Sequence, residues 1–488
     1  MSNFPLSPSR YEKTLRKHAR KTQGFSEALA DAANRARASA RRETGHEKQI
    51  RNLAADVIAP VLVSFVMWVL HQARQRGIER LYFLSRDGQT LRQIADRLID
   101  KNPQLRCETR YLYVSRQSVG RACIAMGSVD DSWIWSDTSV STGEQMLERL
   151  GTSLSEVAPD LSEQEVLRFK QQPIPDAVTR MIREDILPYL KNGYRQSPEG
   201  QRDLAVAYLQ QEGIGQQITT GLVDVGWKGS IHAMINQIAR RASSMSPRPL
   251  WGGFFGLVPS DHGFGAHREA FYFDTTRGQG HDPLGPGPSI YGLMEAFCAA
   301  DHGTVTGYHR NVDDEIVPLL ESTWAGRMKD WGLPVVRDTL KVFLDAFATD
   351  VDFHRIDTAV RAPLTEIITQ FWCHPTVREA RAFGQFPREL GQGEEIHSEP
   401  FATPYRWRDV PTFARHGRDA DKDLGHHYTW HEGSMMITPQ PVRDAIRAVL
   451  GTGRAIRRCS ELLTRRWSTW YASGAAHVLT DPGLFPVI

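Results

Sequence analysis

Leu81-Tyr82-Phe83-Leu84-Ser85-Arg86-Asp87-Gly88, continued by Gln89 to Ile99, is the stretch on which the fold class turns. Its first four residues form a short β-rich run and the next four a turn. Apolar residues then recur at Leu91, Ile94, Ala95, Leu98 and Ile99, which is a helical spacing. A second β-rich run, Tyr111-Leu112-Tyr113-Val114, ends in Ser115-Arg116. Strand, helix and strand in this order predict a right-handed parallel unit with its functional loops at the carboxyl ends of the strands. The predicted class is α/β, a parallel-sheet, Rossmann-like core.

Reading outward toward the C-terminus, Ala122 to Gln217 is mostly helical in pattern and polar, a helical insertion or cap at about 120–218. The sheet resumes at Thr220-Gly221-Leu222-Val223-Asp224. The turn Val225-Gly226-Trp227-Lys228-Gly229-Ser230 and a helix over Ile231 to Ile238 come next. Further strands are predicted at Trp251 to Val258 and Phe271 to Phe273. A Gly/Pro-rich loop, a lid or a plain surface excursion, runs from Arg277 to Gly292. Beyond Tyr308 the chain reads mainly as helix, for example Thr339 to Phe347, with irregular stretches near Gly384 to Pro411.

Toward the N-terminus, Val57 to Leu70 carries no charge. A membrane span needs ~20 apolar residues, and this run has Pro60 inside it and Gln72 close behind. The expectation is a buried helix leading into the next strand. Met1 to Leu53 holds 12 Lys and Arg against 5 acids, leaving 47 against 52 in the rest of the chain. The segment lacks an apolar h-region, so it is expected to stay on the mature protein. Phe25 to Arg51 reads as helix. Such a basic surplus implies either peripheral attraction to an anionic surface, such as the cytoplasmic leaflet, or a solvated helix or frayed terminus.

At 488 residues, two or three domains are expected. The divisions read here are a basic helical segment 1–55, an α/β core 56–308 and a C-terminal region 309–488. With 41% hydrophobic and 24% charged residues, the chain is neither wholly disordered, nor collagen-like, nor a polytopic membrane protein. Five cysteines without a CxxC pair fit a reducing, cytoplasmic compartment and exclude a zinc ribbon or a disulfide scaffold. The basic surplus is confined to one terminus with no aromatic-basic sheet signature, which argues against nucleic-acid binding.

Three strand ends can carry chemistry: Ser85-Arg86-Asp87-Gly88, Ser115-Arg116 and Asp224 to Ser230. The third is a carboxylate at a strand end, then a tight loop with two glycines, a lysine and a serine, then a helix. Gly226, Trp227, Lys228, Gly229 and Ser230 would aim backbone N–H groups and a helix N-terminus at one point, which suits a phosphate. Asp224 is placed to bind ribose hydroxyls. Ser85, Arg86 and the Gly88 amide in the first turn, with Ser115 and Arg116 in the second, suit a further phosphate group.

These residues resemble type I phosphoribosyltransferases, which use 5-phosphoribosyl-1-pyrophosphate (PRPP). In that family a strand bearing acids runs into a loop that holds the 5-phosphate, and an earlier strand-turn-helix holds the pyrophosphate. Leu222-Val223-Asp224 with Gly229 matches the first element, and Leu84 to Gly88 the second. More closely, YFLSRDG (82–88), YVSRQS (113–118), VDVGWKGS (223–230) and LMEAF with DHGTVTGY (293–308) resemble a family from bacterial capsule and O-antigen gene clusters, often labelled hydrolase-like. The likeness covers roughly Ala59 to Tyr308, and more faintly Phe371 to Phe386. Two departures stand out: only one acid, Asp224, precedes the loop where many phosphoribosyltransferases have two, and Lys228 stands where Thr is common. Another phosphosugar therefore stays open as donor.

The resemblance implies a phosphoribosyltransferase-like core and a PRPP-dependent glycosyltransferase. It would move 5-phosphoribose to a hydroxyl of a polysaccharide or lipid-linked oligosaccharide, giving a β-ribofuranoside 5-phosphate that a separate phosphatase then hydrolyses. Mg²⁺ would bridge pyrophosphate and ribose hydroxyls, and the transition state would be oxocarbenium-like. Asp224 would clamp the ribose. Asp87 is the first candidate for general base and Glu295 the second. The C-terminal region, with Trp430 able to stack on a sugar, is a candidate acceptor module.

Plainer readings stand beside these. The lesser readings make Asp224 a helix cap, Arg86-Asp87 a local ion pair and Arg116 a surface side chain; for Glu295 a structural pair weighs about the same as catalysis, and His302 reads as a loop former. Asp419, Asp421 and Asp423 have alternate calcium-loop spacing, but Gly425 comes one place late and Trp430 replaces the closing Glu. His427 and His431 lack the HExxH order. A haloacid-dehalogenase-like phosphatase would need a carboxylate nucleophile where Ser85 stands. A non-catalytic phosphosugar- or nucleotide-binding protein is the rival from another class.

Overall fold

β1 (Arg80–Leu84), β2 (Glu108–Leu112), β3 (Thr220–Asp224), β4 (Trp251–Leu257) and β5 (Arg268–Asp274) form one all-parallel sheet in the order β2-β1-β3-β4-β5. The structure is a computed structural model. It describes residues 7–39, 43–126, 134–135, 142–150, 152–171, 174–190, 201–242, 250–259, 267–279, 289–348, 350–390, 397–417, 420, 424 and 430–451. The centre of the expected Gly/Pro-rich loop (280–288) lies outside these residues, as do Asp419, Asp421, Asp423, Gly425 and His427.

The strands follow from the residues that form them. Arg80 to Leu84 and Trp251 to Leu257 are buried throughout. Near-continuous apolar runs of this kind mark parallel strands covered on both faces. The expected strand at Thr220–Asp224 is observed at those limits. The second strand lies earlier than its β-rich run, at Glu108–Leu112, because the N–H groups of Tyr113 and Val114 donate to the Tyr208 and Ser85 hydroxyls instead of to a neighbouring strand.

Parallel neighbours need crossovers, and helices supply them. α1 (Arg10–Lys17), α2 (Phe25–Ala38), α3 (Gly45–Leu53) and α4 (Ala59–Arg76) precede the sheet. α5 (Gly88–Lys101) joins β1 to β2, and α6 (Arg116–Ala125) leaves β2. Between α6 and α7 (Gln201–Gln211) come short helical segments, including Gly143–Leu150 and Glu163–Phe169. α8 (Ser230–Ala242) joins β3 to β4. α9 (Ser289–Phe297), α10 (Leu333–Ala346) and α11 (Asp357–Trp372) follow the sheet.

α4 carries the uncharged run, and every residue from Ala59 to Ala73 in it is buried. Its Phe65 meets Phe255 and Phe271, and Trp68 meets Trp251 and Phe271. The helical stretch Gly45–Arg76 is long and apolar enough to cross a bilayer, yet its apolar window is wholly buried within the fold. Tyr82, Leu84, Leu112 and Leu222 instead pack with Val119, Cys123, Ile235 and Ile238 of α6 and α8.

The described part of the basic N-terminal segment, residues 7–39 and 43–53, packs into this core and is not a solvated helix. The single helix expected over Phe25–Arg51 is two, because Thr44 and Glu47 form a capping box that starts α3. Leu15, Phe25 and Leu29 are fully buried, and Phe25 packs edge-on against Phe347 and Phe353 at 5.7 and 5.0 Å. Its cations are paired with acids: Arg10 with Glu379 at 2.6 Å, Lys17 with Glu366 at 3.1 Å, and Arg37 with both Glu12 of the same segment and Asp56.

Beyond Tyr308 the chain is not helical alone. β6 (Val305–Arg310) and β7 (Ile316–Leu320) form an antiparallel hairpin, as do β8 (Pro387–Leu390) and β9 (His397–Pro400). The chain divides into two compact units, Met1–Phe401 and Ala402–Ile488. Both expected divisions, at 55/56 and 308/309, fall inside the first unit. In the second unit, Tyr405 and Phe413 pack together with Val442 and Ile446. Trp430 is only 1% exposed. It has no open face for a sugar, which corrects the stacking role expected of it.

Candidate functional site

In the order β2-β1-β3-β4-β5 the chain moves from β1 to one side and then crosses to the other, so the switch point lies between β1 and β3. Open α/β sheets bind ligands there, outside the carboxyl ends of the strands. β1 ends in Ser85 to Gly88 and β3 ends in Asp224 to Ser230, so two of the three predicted loops flank that crevice. The third, at Arg116, begins α6 next door. α5, α6 and α8 all start at this edge of the sheet, at Gly88, Arg116 and Ser230. Helix N-termini present N–H groups and the positive end of the backbone dipole.

Three acids meet over this edge. Asp87 and Asp224 are half-buried, while Glu295, on α9, is exposed. Burial raises the Asp87 carboxyl well above its ordinary value; Glu295 and Asp224 push it further and Arg86 opposes. Asp224 is pushed up to about 7, first by burial, with Glu295 adding to the rise. The N–H of Val225, which donates to Asp224 Oδ1 at 2.8 Å, and the charge of Arg116 act against it. Asp224 is not the cap of α8, whose first residue is Ser230. Beneath the acids, the Cys298 thiol is fully buried and held far above its usual range by burial and by all three charges. That makes it inert rather than nucleophilic.

No family model matches this chain, and no curated protein matches it.

The serines differ from the expectation in what they already do. The Ser85 hydroxyl donates to the Val114 carbonyl at 2.6 Å and accepts from the Val114 N–H at 2.9 Å, tying the ends of β1 and β2. Ser115 accepts from the Ser118 N–H and donates to the Val305 carbonyl at 2.6 Å. Both hydroxyls are committed to the scaffold, and any phosphate contact near them falls to backbone groups and arginines. The Arg86 guanidinium sits over the Trp324 ring at 4.4 Å. Lys228 is exposed, and its carbonyl accepts from Arg268 Nη1 at 2.8 Å.

The glycines are explained by close approach. A Cβ on Gly88 would stand 2.5 Å from the Phe83 carbonyl carbon, and one on Gly226 would stand 2.7 Å from the Gly256 oxygen. Gly229 has φ +69, a left-handed conformation. Gly88→Ala should therefore force α5 away from β1, costing about 1–3 kcal/mol or more. Thermal melting checks this; a Tm within a degree or so of the parent's would show that the turn yields freely.

Several contacts, most of them among residues named above, escaped the sequence reading. Tyr111 O–H lies 2.7 Å from His302 Nε2, and His302 Nδ1 lies 2.8 Å from the Gly303 carbonyl. An Nδ1–H donating to that carbonyl leaves Nε2 to accept from Tyr111. Asp301 is held by Arg337 at 2.5 Å and by Gln89 at 2.8 Å, anchoring the segment after α9 to the start of α5. The sequence reading gives His302 only a loop-shaping role, because its distant partner, Tyr111, lies 191 positions away. Trp227 stacks on Phe273 at 6.0 Å, meets Tyr291 at 4.4 Å, and donates its indole N–H to Glu295 Oε1 at 3.4 Å.

Proposed function

We propose that the chain is a PRPP-dependent glycan phosphoribosyltransferase, moving 5-phosphoribose to a hydroxyl of a polysaccharide or lipid-linked glycan at the inner side of the cytoplasmic membrane. One observation carries the reading: two glycine-bearing loops, each opening a helix and each holding a half-buried carboxylate, flank the β1/β3 switch point. The loop of Asp224 to Ser230 takes the 5-phosphate on the α8 N-terminus, with Lys228 at its rim. Arg86, Arg116 and the amide of Gly88 take the pyrophosphate. Asp224 accepts from the ribose hydroxyls. The phosphoribosyltransferase-like fold is the finer form of the same proposal.

Three clustered carboxylates would repel a bare pyrophosphate, so this donor has to bring a cation. Among the described residues no group of three His, Cys, Asp or Glu is set to hold a metal by itself. Mg²⁺ is commonly held by one or two carboxylates, with water and substrate phosphates completing its shell. Asp87 and Asp224 fit that donor set, and bound Mg²⁺ would supply charge neutralisation of the leaving group. The chain's own groups then orient the ribose and shield its anomeric carbon. Ser85, tied to Val114, leaves the phosphatase alternative without a carboxylate nucleophile.

Calorimetric titration with PRPP should show binding with Mg²⁺ and little without it. A carboxylate must lose its proton before it takes a cation, so affinity should rise as pH rises through about 7, where Asp224 ionises, and keep rising as Asp87, also raised by burial, loses its own. No heat in either condition from folded protein would sink the donor assignment. Binding with no product one phosphoribosyl unit heavier, across a set of glycans, would instead favour a non-catalytic phosphosugar-binding role.

A further inference from the structure

We infer that the acceptor is a sugar hydroxyl received on the α9 side of the switch point, where Glu295 takes its proton and the Trp227 N–H positions that carboxylate. This rests on the donor reading above and assigns the base that the sequence leaves between Asp87 and Glu295. Of the three acids, Asp87 and Asp224 are half-buried at the strand ends, and Asp224 is fixed by the Val225 N–H. Glu295 alone of them is exposed and projects from a helix facing both loops. A group that meets an acceptor arriving from solvent has to be reachable from it; groups that hold the donor do not.

The surroundings fit a sugar. Trp227 and Tyr291 lie 4.4 Å apart, and Phe273 extends the ladder behind Trp227 with its ring nearly parallel. Tyr291 and Glu295 are four residues apart on α9 and so share one face of the helix. Phe273 is buried and Trp227 lies between the two other rings, so the half-buried Tyr291 beside the carboxylate is the ring that offers an apolar rest for the C–H face of a pyranose, with Glu295 supplying an oxygen for one of its hydroxyls. The indole N–H reaches Glu295 Oε1 at 3.4 Å, a long contact that biases the carboxylate toward one orientation. In the transfer step the acceptor oxygen bonds to C1 as the bond from C1 to the pyrophosphate oxygen breaks. Pyrophosphate leaves with the electron pair, and the acceptor's proton passes to Glu295.

The test uses the full chain with PRPP, Mg²⁺ and octyl β-D-galactopyranoside, with water as the second acceptor, and follows pyrophosphate release. Glu295→Gln should lose ~100-fold or more of the rate while PRPP affinity changes by less than about twofold. Formate should restore part of the rate of Glu295→Ala, which no structural role would produce. Trp227→Phe keeps the ring ladder and drops the N–H; its kcat should fall about tenfold with PRPP affinity held. A Glu295→Gln variant with the parental rate, or one whose PRPP affinity falls in step with its rate, overturns the assignment. So does a parent protein that binds PRPP yet releases no pyrophosphate to either acceptor. A parent that binds no PRPP overturns the donor reading and this one together.

Discussion

Asp224→Asn should melt at a higher temperature than the parent at pH 8 while binding or turning over PRPP at least tenfold worse. The two halves share one cause. Asp224 is held up to about 7 by burial and by the charge of Glu295, against an ordinary 3.8. Between those values the folded chain keeps a proton that the unfolded chain releases. The stability that this one group contributes is therefore present in full below about pH 4, declines as pH rises to about 7, and is flat above. Asparagine keeps the shape and the oxygen facing the Val225 N–H but carries no charge to confine. The gap in Tm between variant and parent should open from pH 4 to pH 7 and then stay constant. Its ceiling is on the order of 4 kcal/mol, and relaxation of a half-buried group will leave less. PRPP with Mg²⁺ should raise the parent's Tm and leave the variant's unmoved. A pH-independent gap, or undiminished donor use by the variant, would remove Asp224 from the site.

Deleting Met1 to Ala40 should abolish cooperative folding, not merely weaken contact with a charged surface. The segment carries α1 and α2, whose Tyr11, Leu15, Phe25 and Leu29 are buried. Each large side chain contributes roughly 1.5–3 kcal/mol by leaving water. Together they rival the 5–15 kcal/mol that a folded protein has in total. The loss also strands Asp56, which is 5% exposed, lies 3.2 Å from Arg37 and is already pushed up to about 7 by burial. Circular dichroism and a melting curve on the truncated chain decide the matter. A sharp, parent-like transition would mean that α1 and α2 are an appendage after all. With folding lost, a test of membrane contact needs surface substitutions instead of truncation. The segment's basic surplus is in any case smaller than the count suggests, since Arg10, Lys17 and Arg37 pair with Glu379, Glu366 and Asp56, acids outside Met1 to Leu53.

What could be read before the structure was what local pattern encodes. Thr220–Asp224 has turn residues on one side and a glycine-bearing loop on the other, so its limits are marked. β2 is an edge strand whose first residues are Glu108, Thr109 and Arg110, and a polar edge has no apolar alternation to show where it begins. The three acids could be nominated from their motifs, but their mutual repulsion belongs to the tertiary fold. Ser85 and Ser115 looked like ligand groups because a serine after a strand often is one. Their actual partners, Val114 and Val305, are carbonyls that only packing brings near. Thr44 and Glu47 are the reverse case: the capping-box spacing was present in the chain and would have divided Phe25–Arg51 correctly.

The burial of α4 has a consequence for biosynthesis. Its apolar face rests on aromatic residues of β4 and β5, which lie about 200 residues further along the chain. At ribosomal rates of about 5–20 residues per second, that separation is roughly 10–40 s. For that interval the longest apolar helix of the protein has left the ribosome before the strands that cover it exist. The nascent chain is thus a client for any factor that binds exposed apolar helices, and slowing synthesis between α4 and β5 should lower the yield of folded protein more than slowing it after β5.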